Sequence, residues 1–280
     1  MKLGLFNVNF NPINGPDEVI ATVRAAEAAG FDSIWAGEHV VLPDPQVPPS
    51  PMGPQDPALD PLVALTWAAA HSSTVRLATG IVIIPQRNPV VLAKQVASLD
   101  VLSHGRVTLG VGVGYLEPEF RAIGADFENR GAVTDEYLDA MHHLWYDEHP
   151  EFHGRFADFA GVDAYPRPVQ QPIPIVIGGH TKRAYRRAVS RGQGWYGFAT
   201  TPESTAESLA GLRTAASEVT RPAELGPLEI TVTPRGRLTP EVASAYAELG
   251  VDRLVPFPPG SPDGVTKAIA NALDAVAGLH

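Results

Sequence analysis

A histidine that follows an acidic residue, Glu38-His39, ends a short apolar segment early in the chain. Histidine can donate or accept a proton near neutral pH, so a histidine beside a carboxylate is suited to acid-base catalysis. We predict that His39 is a catalytic, proton-transferring residue. The alternative interpretation is a pair that only orders the proline-rich loop after it. A metal site is the competing use, but the sequence has no tight metal-ligand motif.

Glycines interrupt or end three other apolar segments. Thr79-Gly80-Ile81 interrupts one, Gly110–Gly114 alternates glycine and valine at the end of the second, and Gly178-Gly179 ends the third. His180-Thr181 then begins a helical pattern, and free amides at a glycine turn before a helix suit a phosphate. A glycine inside a strand often marks a bulge or a close backbone approach. Together these segments predict a slot for a flat, phosphorylated cofactor, although plain tight turns explain them too.

The slot is not predicted to hold a nicotinamide dinucleotide. Tyr115 and Glu117 stand where glycines of the dinucleotide fingerprint would be needed after the Gly110–Gly114 run. Phosphate-loop and nucleophile-elbow motifs are absent from the sequence as well. A basic group follows Gly178-Gly179 in this otherwise acidic chain, which favours an anionic ligand or else is a solvated helix face. This group comprises Lys182, Arg183, Arg186 and Arg187.

These residues recur in a repeated unit, in which an apolar run is followed by an amphipathic segment about eight times. That alternation predicts an α/β fold, a (β/α)8 TIM barrel of parallel strands forming a single domain over residues 1–280. A doubly wound two-domain arrangement is the alternative. The long proline-rich loop after strand two, Val40–Ala58, is a candidate lid. The predicted strands are Lys2–Val8, Asp32–Glu38, Val75–Ile84, Arg106–Val113, Ile173–Ile177, Gly194–Phe198, Leu228–Thr233 and Arg253–Phe257.

Barrel active sites lie at the C-terminal ends of the strands, so position alone nominates further residues. Asn7 ends strand one, and four aromatic residues are candidates for the wall of an apolar substrate pocket, although each also suits the barrel core. These are Phe6, Trp35, Trp195 and Phe198.

Composition limits the partners. The chain has 21 basic and 31 acidic residues and a net charge of −10, which disfavours nucleic acid and anionic membranes. It has no cysteine, which excludes disulfides, thiolate metal sites and a cysteine nucleophile. No apolar run approaches the roughly 18 residues of a membrane span, and the first residues resemble a strand more than a signal peptide. We therefore expect a cytoplasmic protein that acts on a small molecule.

An ordered set of motifs resembles the luciferase-like monooxygenase superfamily, and within it the branch that uses the deazaflavin coenzyme F420. The set extends over most of the chain and thins after about Thr200. It includes Thr79-Gly80-Ile81, Arg87-Asn88-Pro89, Lys94-Gln95, Ser98-Leu99-Asp100, Gly105-Arg106, Leu109–Gly114, Glu119-Phe120, Gly124, Arg130, Glu136, Pro172-Ile173-Pro174, Gly178-Gly179 and Gly194-Trp195.

The resemblance implies a flavin or deazaflavin at the C-terminal face, hydride transfer to or from its ring, and commonly a homodimer. It implies a cis peptide at Gly80–Ile81 against the back face of the ring. It also implies that Glu38 contacts the cofactor and that His39 transfers a proton. The segments implied to hold the cofactor are Thr79-Gly80-Ile81, Val113-Gly114-Tyr115, Gly178-Gly179 and His180-Thr181.

Two departures narrow the activity. Tyr115 replaces the glutamate of the F420-dependent sugar-phosphate dehydrogenases, and Pro118 replaces a polar cofactor contact, so the sugar-phosphate activity is not expected. The prediction is an F420-dependent oxidoreductase acting on a small organic substrate. The alternatives are an FMN-dependent monooxygenase that uses oxygen, a metal-dependent hydrolase using Glu38, His39 and His180, and a cofactor-binding protein without turnover.

Overall fold

Parallel strands occupy eight positions around a closed barrel in the computed structural model, which describes residues 1–258 and 262–279. The third position is occupied by two short strands, β3 and β4. The first strand, β1, pairs with the last, β11, which closes the ring. A small antiparallel hairpin, β6 with β7, lies outside the barrel. The strands are β1 Lys2–Phe6, β2 Ser33–Ala36, β3 Arg76–Thr79, β4 Val82–Ile83, β5 Val107–Gly112, β6 Phe152–His153, β7 Asp158–Phe159, β8 Ile175–Gly178, β9 Gly194–Thr200, β10 Glu229–Pro234 and β11 Arg253–Leu254.

Helices surround the staves, and their starting residues follow ordinary capping chemistry. Asp60, Asn88 and Thr181 each accept a hydrogen bond from a first-turn amide, which satisfies N–H groups that have no partner inside the helix. Proline, whose fixed φ suits the first turn, begins several helices. The helices are α1 Pro16–Ala28, α2 Pro61–Ala69, α3 Pro89–Leu102, α4 Glu117–Ala122, α5 Arg130–Tyr146, α6 Lys182–Arg191, α7 Pro202–Glu218, α8 Pro240–Glu248 and α9 Pro262–Val276, with short 3₁₀ turns at Ile84–Gln86 and Ala223–Leu225.

Apolar side chains form two separate clusters. The larger one lies between the staves and the surrounding helices. The smaller one fills the barrel interior and consists of Phe6, Phe10, Trp35, Ala78, Val176, Tyr196 and Val255. Met52, Ala58 and Ile81 pack against this interior cluster, so the proline-rich loop is in contact with the barrel mouth.

The predicted barrel is confirmed, with two local corrections. Strand three is not continuous, because the chain leaves the sheet between Thr79 and Val82. Strand eight is shorter than predicted and ends at Leu254. The loop predicted as a lid carries no helix or strand; its end bridges to Phe10 through Ala58. Within the described part of the chain, no helix is both long and apolar enough to cross a bilayer.

Candidate active site

The third strand of the barrel is interrupted between Thr79 and Val82. Here the Gly80–Ile81 peptide is cis, as the family resemblance implies. The neighbouring stave makes room for the break: a Cβ at Gly110 would lie 1.8 Å from the Thr79 carbonyl oxygen, and one at Gly112 would lie 1.9 Å from Cδ1 of Ile81. The space beside Gly110 and Gly112 is therefore occupied by Thr79 and Ile81 of the protein itself.

The glycines further along the rim border the same break. A Cβ at Gly178 would lie 3.0 Å from Cγ2 of Ile81. Gly114 has a φ of +76° and Gly179 a φ of +123°, which are conformations that glycine adopts without strain. Val111 pairs with Ile177, so Val113-Gly114 and Gly178-Gly179 lie at the ends of adjacent strands. The predicted cofactor segments are thus brought to one edge of the mouth, and Ile81 is partly exposed between them.

Helix α6 begins at this edge. The Thr181 hydroxyl caps it by accepting from the amide of Ala184 at 3.2 Å. Partial burial of the His180 ring lowers its pKa, which disfavours a positive charge on this histidine. Within the basic group, Arg186 pairs with Glu218, and the buried Arg187 pairs with Asp135.

The remaining basic residues of the first turn, Lys182 and Arg183, are exposed. They are therefore the members of the predicted basic group that face solvent at the start of the helix. An anion at this edge would meet these two charges and the free first-turn amides of α6.

Glu38 belongs to a buried ion pair at the end of β2. Its carboxylate accepts from Nε of Arg87 at 2.8 Å, from Nη2 of Arg87 and from the backbone amide of Ile83. Arg87 also donates to Asp60 at 2.6 Å, the residue that caps α2. Burial raises the pKa of Glu38, while Arg87 and the Ile83 amide oppose that effect. All of these donors are protein groups, so Glu38 ties β2, β4 and α2 together rather than presenting a free oxygen at the mouth.

His39 points toward a second buried carboxylate. Its Nδ1 lies 3.2 Å from Oε1 of Glu119, and the same oxygen accepts from the backbone amide of Val40 at 3.0 Å. The Glu119 side chain is fully buried and the His39 side chain is 9% exposed. Burial and the charge of Glu119 raise the pKa of Tyr115, whose ring meets that of His39 edge-on at 6.4 Å. The predicted proton-transfer residue is therefore held by a carboxylate other than its chain neighbour.

Aromatic rings line the other side of the mouth. Phe198 and Phe257 are 44% and 46% exposed. Both contact the buried Phe6: Phe257 stacks on it at a centroid distance of 5.3 Å, and Phe198 lies tilted to it at 5.2 Å. Below them, Trp35 and Tyr196 stack at 5.0 Å inside the barrel. Because Trp35 has no exposed surface, it supports this wall from beneath rather than forming it.

Two predicted pocket residues have other positions. The Trp195 indole lies in the outer cluster and donates to the Gly179 carbonyl at 2.8 Å, so it faces α6 rather than the barrel interior. Asn7 is fully buried, and its amide oxygen accepts from the backbone amide of Phe10 at 3.0 Å. Successive strand residues point to opposite faces, which explains why Tyr196 rather than Trp195 faces inward.

Three residues that matter here were not selected by sequence reasoning: Glu119, Arg87 and Tyr196. Glu119 and Arg87 belong to the motifs of the family resemblance, but each lies on an element distant in sequence from its partner. Glu119 could have been found from its position, because it lies in the first turn of the helix that follows the glycine-rich strand end, close to the predicted site. The metal-hydrolase alternative gains no support, since no three of the described His, Asp and Glu residues cluster closely enough to hold a metal ion.

Comparison with known proteins identifies the family. The model of the luciferase-like monooxygenase family matches residues 1–259. The chain belongs to this family. It is 36% identical over 184 residues to an uncharacterised protein of Mycobacterium tuberculosis strain H37Rv, a match that covers 62% of this chain and 65% of that protein.

Two further proteins represent the two cofactor classes. The oxygenase component of the flavin-dependent trigonelline monooxygenase of Acinetobacter baylyi is 29% identical over 179 residues, covering 63% of this chain and 46% of that one. The structure of an F420-dependent secondary alcohol dehydrogenase with an F420-acetone adduct shares the fold, with a TM-score of 0.78, 17% identity and coverage of 100% and 99%.

The Glu38–Arg87 pair gives a stability prediction. Arg87→Met leaves a buried carboxylate without its cation, which should lower the free energy of unfolding by about 3–5 kcal/mol. The double variant Glu38→Gln/Arg87→Met removes both charges and should recover part of the loss. Urea unfolding followed by circular dichroism measures both. Arg24→Met, which removes an exposed arginine of α1, is the control and should change stability by less than about 0.5 kcal/mol. An Arg87→Met loss as small as that of the control would contradict the structural role of the pair.

Proposed function

We propose that this protein is an F420-dependent oxidoreductase that transfers a hydride between the deazaflavin and a small organic substrate. The observation that carries the proposal is the position of His39, a partly exposed histidine held by a buried carboxylate at the mouth of a barrel of this family. Such a group can supply or remove the proton that accompanies hydride transfer at a carbon atom.

The residues at the mouth fit a flat, anionic cofactor in three respects. Ile81 is partly exposed at the broken stave and offers an apolar face to one side of a ring. Gly114 and Gly179 place turns of positive φ at two adjacent strand ends, on the rim proposed to hold the ring. The charges of Lys182 and Arg183 lie at the start of α6, which suits the phosphate and the acidic tail of F420. Glu38 is left out of this contact set because its oxygens are engaged by Arg87 and Ile83.

When bound, the deazaflavin supplies the hydride chemistry. The chain's own residues have three tasks. Ile81 and the rim glycines orient the ring, Phe198 and Phe257 exclude water from an apolar side of the mouth, and His39 holds or accepts a proton at its imidazole. Met52 and Ala58 of the proline-rich loop already contact the interior cluster, so this loop is the proposed cover of the site.

An FMN-dependent monooxygenase is the second candidate. The similarity to the flavin-dependent trigonelline monooxygenase favours it, since that relative is closer in sequence than the F420-dependent dehydrogenase. The same rim would hold FMN, whose single phosphate needs fewer positive charges than the longer tail of F420. The two candidates therefore differ in which cofactor Lys182 and Arg183 recognise.

Cofactor titration tests the proposal. We expect the purified protein to quench F420 fluorescence on binding and to bind FMN more weakly. Lys182→Ala and Arg183→Ala should each weaken F420 binding about fivefold, as expected for an exposed charge pair of about 1 kcal/mol, and high salt should reduce the difference. Arg24→Ala, with the same charge change on α1, is the control and should leave the affinity unchanged.

FMN binding in the absence of F420 binding would overturn the choice of cofactor and favour the monooxygenase candidate. Failure to bind either cofactor would overturn both. Binding of F420 without redox change across a panel of small alcohols, aldehydes and imines would favour a cofactor-binding protein without turnover.

His39→Ala should separate chemistry from binding. We expect turnover of the bound cofactor to fall about 10²- to 10⁴-fold, the usual contribution of a general acid or base. The cofactor dissociation constant should change less than about threefold, because His39 is not among the proposed phosphate contacts. Absorbance of the cofactor during turnover and fluorescence quenching during titration measure the two effects. Equal losses in turnover and affinity would contradict a proton-transfer role.

The homodimer and the cytoplasmic location both remain predictions. A surface for the dimer is available where α2 and α3 pack side by side: Val63 and Trp67 are 67% and 43% exposed, and Val91 is 55% exposed. Exposed apolar residues on adjacent helices are typical of interfaces. Light scattering after gel filtration should give twice the chain mass of 29.8 kDa, and Trp67→Glu should shift the protein toward monomer. A monomeric wild type would contradict this.

A further inference from the structure

Glu119 is the buried carboxylate at the mouth that has no cationic partner among the described residues. Its Oε1 accepts from the Val40 amide and faces Nδ1 of His39. Its Oε2 is buried without a hydrogen-bond partner. An ionisable group in this state is costly, so its retention calls for a role.

The geometry determines where a proton must lie. Oε1 of Glu119 and Nδ1 of His39 are 3.2 Å apart, and two unprotonated acceptors at that distance would repel each other. A proton on Oε2 would be a buried O–H without an acceptor, because that oxygen has no partner. Oε1 is already oriented as an acceptor by the Val40 N–H. The arrangement that satisfies most groups places the proton on Nδ1 of His39.

We propose that Glu119 is a positioning residue for His39: it accepts the Nδ1–H bond and thereby leaves Nε2 as the unprotonated ring nitrogen. Nε2 is on the ring edge away from the buried carboxylate, so it is the nitrogen that can exchange a proton with a bound molecule. A carboxylate on one imidazole nitrogen fixes both tautomer and ring orientation, as in other acid-base pairs.

The surroundings of His39 restrict the ring further. Phe10 lies on one side, with ring centroids 6.5 Å apart, and Tyr115 meets it edge-on at 6.4 Å. Neither contact supplies a charge to Nδ1, and Glu38 is occupied by Arg87. Glu119 is therefore the acidic side chain in contact with this imidazole among the described residues. The tautomer follows from this contact alone, whereas its use in proton transfer rests on the proposed function.

Imidazole nitrogen NMR of the cofactor-free, full-length protein tests the tautomer directly. At a pH where His39 is neutral, the ¹⁵N spectrum should show a protonated Nδ1 and an unprotonated Nε2. His39→Gln assigns the signals among the nine histidines of the chain. A wild-type His39 with its proton on Nε2 would overturn the proposal without any variant of Glu119 having to fold.

Three substitutions on α4 separate positioning from mere packing. Glu119→Leu removes the acceptor, so the His39 signals should shift toward the Nε2–H form that free imidazole side chains prefer. Glu119→Gln keeps an acceptor oxygen and should retain the Nδ1–H form. Glu117→Leu removes an exposed carboxylate of the same helix and is the matched control. Unchanged His39 signals in folded Glu119→Leu would contradict the proposal.

Turnover gives a second, separate readout. If the proposed function holds, Glu119→Leu should lower turnover at least tenfold with little change in cofactor affinity, and Glu119→Gln should recover most of it. If F420 and FMN both fail to bind while the NMR result stands, the proposed function fails and the tautomer assignment survives. If the protein binds and turns over F420 but His39 carries its proton on Nε2, the tautomer assignment fails and the proposed function survives.

Discussion

The mouth of this barrel depends on close packing between the interrupted third strand and the neighbouring strand β5, in which glycines leave space for the third strand. The third strand leaves the sheet after Thr79. The Thr79 carbonyl oxygen lies where a Cβ atom at position 110 would be, and the Ile81 side chain lies where one at position 112 would be. The Thr79 hydroxyl donates to the Gly110 carbonyl at 2.6 Å and fixes this register. Because protein interiors are close-packed, such overlap tolerates no larger residue at the two glycines. The position of Ile81 at the rim therefore depends on the fifth strand as much as on its own.

A second constraint fixes the elements on either side of that break. Arg87 follows the broken stave and joins two carboxylates, Glu38 at the end of β2 and Asp60 at the start of α2. These residues bracket the proline-rich loop, so both of its ends are held while its middle has no regular structure. Asn9 adds a further attachment by donating to the carbonyls of Gly37 and Leu59 at 2.7 and 2.8 Å. A loop anchored in this way can cover the mouth without displacing the barrel strands.

The barrel and the edge of the mouth could be predicted from sequence, whereas the partners of the site residues could not. The alternation of apolar runs and amphipathic segments has a local cause, the burial of each strand and helix face, so its period is visible in the chain. His39 and Glu119 are 80 residues apart in the chain, and the segments that carry them come together because β2 and β5 both pair with β3. Trp195 was predicted to line the pocket, but Tyr196 is the inward-facing residue of this pair, and both are large and aromatic, so residue type does not distinguish them. The Gly110–Gly114 run signalled close approach correctly, but not that the approaching group is the protein's own Ile81.

The two carboxylates next to the proline-rich loop show how environment assigns different roles to the same side chain. Glu38 is surrounded by three donors, two of them from a guanidinium, so its negative charge is neutralised inside the protein and it has little left to offer a ligand. Glu119 meets one backbone amide and one imidazole, and its second oxygen is unpaired. The imidazole of His39 is the side-chain group that faces this carboxylate, at 3.2 Å from Oε1. By this argument Glu38 stabilises the mouth, while Glu119 is the carboxylate available to orient His39.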